Sequence, residues 1–170
     1  MENILIRNFE HSDLKGMLAV FNYFAENSFA VYCEFPLAEN QFNKLAEQIR
    51  IGLVIEDRTD NRIIGFGYIS NYKIFPNFNH SGILTYFILP EYTGKGLGTE
   101  LFNELILRGR AMGITNFFAH ISSLNTQSLN FHKKHGFEEA GIHKNPGNKF
   151  GEKFDIAWMQ KQFNNTDGHK

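Results

Sequence analysis

The chain has 170 residues, with 17 basic and 18 acidic side chains and a formal net charge of −1. That length suits one compact domain, and the balanced charge, without a long basic run, argues against a nucleic-acid backbone as main partner. Cys33 is the only cysteine, which excludes an internal disulfide and fits a reducing, cytoplasmic setting.

The N-terminus, Met1-Glu2-Asn3-Ile4, has no basic region followed by an apolar one, so no signal peptide is expected. No apolar run approaches the ~20 residues that a membrane helix needs. Ile4 to Ile6 reads as a short strand. Ser12 is placed to cap a helix whose Leu14, Met17, Leu18, Phe21 and Phe24 form one apolar stripe. An irregular, aromatic-rich stretch follows, from Asn27 to Pro36. A second helix is expected with Phe42, Leu45, Ala46 and Ile49 on one face. Gly52–Glu56 and Arg62–Ser70 read as two strands of a hairpin, turned by Asp57 to Asn61. Asn71 to Ser81 is a loop carrying Phe75, Pro76, Phe78 and His80.

The run Leu84 to Leu89 is apolar, β-branched and aromatic, as in a buried strand, and Pro90 ends it. Gly94, Gly96 and Gly98 alternate through a turn around Lys95. Behind them Leu97, Leu101, Phe102, Leu105 and Ile106 recur at helical spacing, so a helix opens on the last glycines and runs to about Met112, where Gly113 stops it. Asn116 to Ile121 is a strand. Asn125 to His135 is a shorter helix ending at Gly136. Phe137–His143 and Lys153–Met159 are expected to form a closing hairpin about the turn Asn145-Pro146-Gly147. Residues 1–163 are read as one domain, with 164–170 a frayed polar tail. Interleaved strands and helices imply a mixed sheet covered by helices, an α/β architecture.

A glycine-rich turn that opens a helix lets backbone approach a ligand, and the helix start presents unpaired N–H groups at the positive end of its dipole. Together these suit a phosphate or diphosphate. The same glycines could serve only the turn. The triphosphate pattern G-x-x-x-x-G-K-S/T is absent, since Lys95 sits between glycines. The dinucleotide pattern G-x-G-x-x-G fails because its third glycine would fall on Thr99.

What remains resembles the pyrophosphate loop of the GNAT acetyltransferases, Q/R-x-x-G-x-G/A, with Gly96 and Gly98 at its two defining positions. A second stretch, Asn125-x-x-Ser128-x-x-Phe131-His132-x-x-x-Gly136-Phe137, is similar to that family's C-terminal motif. The pair of motifs, one helix and one strand apart, is specific. The likeness spans roughly Ile4 to Gln160. Within the family, Asn22-Tyr23, the segment Phe29–Pro36 and His132 resemble the phosphinothricin-type acetyltransferases.

The resemblance implies a twisted, mostly antiparallel sheet of about seven strands, splayed at its centre and flanked by about four helices. It implies acetyl-CoA as co-substrate, no metal, and a small amine as acceptor, with a homodimer possible. Tyr86, Phe87 and Ile88 would offer backbone groups to the pantetheine arm. Gly94, Lys95, Gly96, Leu97, Gly98 and Thr99 would wrap the pyrophosphate, and Asn125, Ser128 and His132 would line the arm. Asn125 on its own reads as a helix N-cap; its ligand role comes only from its place in the motif. The acceptor pocket is expected from Phe29, Tyr32 and Glu34 in one loop, Phe75, Phe78 and His80 in another, and Ile83 at the strand start. Aromatic loops of this kind suit a small, partly apolar amine rather than a polycation.

Acetyl transfer needs a neutral amine, a stabilised oxyanion and a protonated leaving thiolate. His132 is the candidate acid, because an ordinary imidazole titrates near ~6.5. Two positions depart from the family pattern. Thr93 stands where the loop has Gln or Arg. Ile83 stands where phosphinothricin-type relatives carry a glutamate base, and leaves Glu34 or His80, each acting through water, as catalytic candidates, or no dedicated base at all. The Ile83 departure also keeps open a non-catalytic acyl-CoA-binding module.

Overall fold

Apolar residues that alternate along strands sort into two cores, one on each face of a sheet. The computed structural model describes residues 3–164. Its elements are β1 (Ile4–Asn8), α1 (Leu14–Asn27), α2 (Glu39–Ala46), β2 (Ile49–Asp57), β3 (Arg62–Asn71), β4 (Ser81–Ile88), α3 (Leu97–Ala111), β5 (Asn116–Ser122), α4 (Thr126–Lys134), β6 (Glu138–Lys149) and β7 (Glu152–Gln162). The seven strands lie in the order β1-β2-β3-β4-β5-β7-β6. Each neighbouring pair is antiparallel except β4 and β5, which run parallel and are joined across one face by α3.

On β2, Val54 joins Met17, Val20, Phe21, Phe66 and Phe87 beneath α1. Its neighbours Leu53 and Ile55 join Leu101, Leu105 and Leu84 beneath α3. A Cβ on Gly67 of β3 would lie 2.8 Å from Leu105 Cδ1, so α3 rests on bare backbone there. The sheet and four helices are those expected.

Three local expectations are corrected. Ser12 does not cap α1; it lies in a 3-10 turn, His11–Asp13, that precedes the helix. The polar anchor there is Asp13, which accepts from the Glu10 N–H at 2.8 Å and from both Nη atoms of Arg7, at 2.6 and 2.8 Å. Ile49 begins β2 rather than ending α2, which stops at Ala46. The closing hairpin turns at Phe150-Gly151, both at positive φ, not at Asn145-Pro146-Gly147. That tripeptide sits in a bulge of β6 between the pairs His143↔Ile156 and Gly147↔Phe154. Asp155 satisfies the bulge, accepting from the Asn145 N–H at 2.9 Å and from Lys144 Nζ at 2.8 Å. The expected tail falls, beyond Asn164, outside the described residues.

One buried cation fixes the ground on which the site is built. Lys149, at the end of β6, is 1% exposed. Its Nζ donates to the carbonyls of Ser28 at 2.6 Å, Val31 at 2.9 Å and Phe24 at 3.5 Å. Burial draws its pKa below the usual lysine range. The end of α1 and the segment after it are thereby pinned to the β6–β7 hairpin, with the Phe29 ring against Phe150 and Phe154. Lys149→Met is expected to lower the unfolding free energy by about 2–3 kcal/mol, because buried carbonyls lose a charged donor. Urea unfolding checks this; an unshifted midpoint would refute the tether.

Candidate active site

β4 and β5 pair only at Ser81↔Asn116, Gly82↔Phe117 and Ile83↔Phe118. Beyond Ile83 the two strands part. β4 stays bonded to β3 as far as Ile88, and β5 stays bonded to β7 as far as Ser122. Each therefore keeps one satisfied edge and turns the other toward the gap. A cavity of about 590 Å³ occupies the gap and is walled by both strands, the segment after α1, α2 and α4.

At the far end of β4 the chain passes through a 3-10 turn, Pro90–Tyr92, into the glycine turn. Gly94 and Gly96 take φ of 74° and 85°, which side-chain-bearing residues rarely adopt. Gly98 lies against Phe131 and Ile88, which puts the turn beside the free end of β4. Gly96 is the N-cap of α3 and carries no side chain to satisfy the first-turn N–H groups, which suits an anion there. Lys95 bends back on its own turn, donating to the Glu91 carbonyl at 3.0 Å and lying over the Tyr92 ring. Thr93 donates to the Pro90 carbonyl at 2.8 Å, and the Thr99 hydroxyl is 3.3 Å from His135 Nε2.

Asn125 caps α4, its side-chain oxygen accepting from the Ser128 N–H at 3.1 Å. It also lines the cavity, and the cap uses only the oxygen of its amide. Ser128 and His132 follow one and two turns on. His132 is 3% exposed. Its Nδ1 lies 2.8 Å from the Ser128 carbonyl, and a carbonyl only accepts, so Nδ1 carries the hydrogen. Nε2, 3.0 Å from the Tyr86 hydroxyl, then accepts from it. Burial lowers the His132 pKa to about 4 and pushes the Tyr86 phenol well above its usual range. The ring is neutral near pH 7, whereas an unperturbed titration was expected.

On the opposite wall the Tyr32 hydroxyl lies 2.9 Å from Nδ1 of His120, a residue of β5. Both line the cavity. Tyr32 stacks on Phe154 at 5.7 Å, and His120 packs on Trp158, its partner across the β5–β7 ladder, at 5.3 Å. Burial of the ring, which strips hydration from its charged form, lowers the His120 pKa.

Of the residues singled out in the sequence, Tyr32, Ile83, Tyr86, Phe87, Asn125, Ser128 and His132 line the cavity. Ile88 does not; it packs against the core beneath α3. Glu34 and His80 are exposed and outside the cavity wall, and the His80 carbonyl is used by Thr115 and Asn116. Phe29 is taken up by the hairpin, and Phe75 and Phe78 point to solvent or to Tyr72. The second loop thus forms no wall. His120, Tyr68 and Thr85 were missed. Each stands on a strand, where alternation shows facing but not the gap that makes the facing useful. Among the described residues, no group of three or more His, Cys, Asp or Glu is placed to hold a metal ion.

Residues 17–137 match the acetyltransferase (GNAT) family. An L-methionine sulfoximine/L-methionine sulfone acetyltransferase of Pseudomonas aeruginosa is 33% identical over 95% of each chain. A ribosomal-protein-alanine N-acetyltransferase of Brucella melitensis superposes with a TM-score of 0.83 at 31% identity, covering 94% of this chain and 99% of that one. A phosphinothricin acetyltransferase of Sinorhizobium meliloti, solved with acetyl-CoA, superposes with a TM-score of 0.87 at 26% identity over 99% of this chain and 92% of that one. With the parted strands, the glycine turn and the capped α4 in place, the chain belongs to the GNAT family of acetyltransferases.

Proposed function

We propose that the protein transfers the acetyl group of acetyl-CoA to the primary amine of a small, amino-acid-like or drug-like molecule, by direct attack in a ternary complex. The observation that carries this is the gap between β4 and β5, open along backbone of β4 and ending beside the glycine turn. In this reading the free edge at Tyr86, Phe87 and Ile88 bonds the amides of the pantetheine arm. N–H groups from Gly94 to Thr99 take the diphosphate, and the free end of the Asn125 amide and Ser128 meet the arm. A β4 N–H faces the carbonyl oxygen as it gains charge. His132, being neutral, is not an imidazolium acid; its Nε2 holds the Tyr86 hydroxyl in place on the donor side, and the leaving sulfur takes its proton from solvent.

The relatives' names support an amino-acid-like acceptor. Among the described residues no Asp, Glu, Lys or Arg lines the cavity, which favours a small acceptor with a single amine over a polyamine. A cytoplasmic homodimer is the assembly we assign, supported by the lone Cys33 and by Phe35, Ile74 and Phe75, which are 76%, 82% and 60% exposed.

Three measurements test this. Gly96→Asp should fold, since Asp tolerates positive φ and a Cβ there meets nothing within 4 Å. Its charge would face the diphosphate, so the calorimetric Kd for acetyl-CoA is expected to rise at least about tenfold. An unchanged Kd would dismiss the turn as the diphosphate site. Thiol release should appear with L-methionine sulfone, other amino acids and simple arylalkylamines; turnover of polycations alone would sink the acceptor assignment. The third measurement is of stability. His132 has a folded pKa of about 4 against ~6.5 unfolded, so the unfolded chain binds more protons in that window and stability falls as pH falls. Between pH 7.5 and 5 the loss attributable to His132 is about 2 kcal/mol. His132→Phe should be less acid-sensitive by that amount; equal slopes would mean the ring is not held neutral.

A further inference from the structure

An amine reaches a cavity near neutral pH largely as its ammonium ion, whose nitrogen has no free pair. A group on the acceptor side must take that proton, or take the one released as the tetrahedral adduct forms. Ile83 cannot, and Glu34 and His80 lie outside the wall. Two lining residues have imidazole lone pairs. That of His132 is occupied by the Tyr86 hydroxyl. The other belongs to His120.

The sheet separates the two histidines. On β5, Phe117, Ala119 and Ile121 are buried beneath α3 and α4. Alternation turns Phe118, His120 and Ser122 to the opposite face, where Tyr32 from the segment after α1 meets His120. Tyr86 packs with Phe131 on the α3–α4 side. The gap between β4 and β5 therefore has the Tyr86–His132 pair at one mouth and the Tyr32–His120 pair at the other. His120 stands two residues past the last bonded pair, Ile83↔Phe118, where the opening begins. Its ring is held between Tyr32 and Trp158, its edge is exposed, and its Nε2 has no hydrogen-bond partner among the described residues.

We propose that His120, oriented by Tyr32, is the general base that takes the proton from the acceptor amine. This rests on the acetyltransferase reading above. The working tautomer has Nδ1–H donating to Tyr32 Oη, with the Nε2 lone pair toward the cavity. Nε2 removes a proton from the ammonium. The freed nitrogen pair forms the C–N bond as the carbonyl π pair moves to oxygen. Collapse of the oxyanion breaks the C–S bond, and the sulfur leaves with its electron pair. The second nitrogen proton passes to Nε2 once the first has gone to solvent, and the thiolate takes one proton back from solvent. The products are the N-acetyl amine and the free thiol.

The groups facing this ring are Tyr32 and Cys33 from the segment after α1, Tyr72 beside Phe118, His143 behind Trp158, and Tyr86 and His132 across the cavity. None is a carboxylate, and the loss of hydration between Tyr32 and Trp158 disfavours the imidazolium, so the ring is neutral and able to accept near pH 7. Activity then requires unprotonated His120 and falls on the acid side of neutrality.

The test uses the full chain and the best acceptor from the panel above. Calorimetry with acetyl-CoA first establishes that His120→Gln and Tyr32→Phe fold and bind the donor as the wild type does. His120→Gln is expected to lose about 10²-fold or more in kcat/KM at pH 7, to lose the acid limb of the pH profile, and to recover partly at high pH, where the amine arrives neutral. Tyr32→Phe should lose less, and its acid limb should move. Nitrogen-detected NMR of the imidazoles should show His120 neutral with hydrogen on Nδ1. A kcat/KM within twofold of wild type with the acid limb intact, or a hydrogen on Nε2, overturns the assignment. Failure of the wild type to acetylate any amine while binding acetyl-CoA overturns the proposed function, and the base with it.

Discussion

Strands β4 and β5 begin as a bonded parallel pair and separate after three residues, and the position of each reactive group follows from that separation. A free strand edge inside a protein is costly, since each buried amide left unpaired forfeits about 1–3 kcal/mol. The fold limits the cost by anchoring each strand on its outer side: β4 to β3 from Gly82 to Ile88, β5 to β7 from Asn116 to Ser122. Aromatic side chains then fill the divergence. Tyr86, Phe131 and His132 stack between β4 and α4, while Tyr32, His120 and Trp158 stack against β5. The inner edge of β4 past Ile83 is thus held from its outer side and left without a strand partner, the arrangement in which a ligand's own amides can pair with it.

The separation also sorts chemistry by face. A sheet is an insulating wall, and a gap in it lets two reactants approach one carbon from opposite sides. The donor side has neutral His132 holding the Tyr86 hydroxyl. The acceptor side has the segment after α1, and that segment keeps its place because Lys149, from a hairpin more than a hundred residues away in the chain, grips its Ser28 and Val31 carbonyls together with that of Phe24 in the last turns of α1. Tyr32 sits next to the gripped Val31. The line from Lys149 through Val31 and Tyr32 to His120 ties the hairpin to the cavity wall by contact alone.

What was legible in the sequence was what is local. The glycine turn and α4 declare themselves by spacing, because close backbone approach and a capped helix start demand particular residues at fixed intervals. The strands showed in their alternation. The errors lie where a distant partner overrides a local signal. Asn145-Pro146-Gly147 has turn chemistry, yet Asp155 across the ladder satisfies it as a bulge and lets β6 continue to Lys149. Ser12 is a good cap by type, but Arg7 fixes Asp13 as the anchor instead. Glu34 and His80 have the proton affinity a base needs and lie in loops whose sequence suggests a pocket wall, yet both face solvent. His120 gave no signal at all. One imidazole in the run Asn116 to Ser122 looks like an exposed strand position until β4 is known to have moved away from it.

The uncharged lining of the cavity bears on the reaction itself. An ammonium ion drawn into a space walled by Tyr, Phe, Ile, Ser and neutral imidazole loses hydration without gaining a counter-charge, so its pKa drops. A carboxylate at position 83 would hold the ammonium more tightly and raise that pKa, helping binding while opposing deprotonation. Isoleucine there removes the attraction. The base need then be only as strong as an imidazole, provided the cavity has already weakened the bond it must break. A buried neutral site and a histidine base are in this sense one arrangement, in which desolvation and proton transfer push the amine in the same direction.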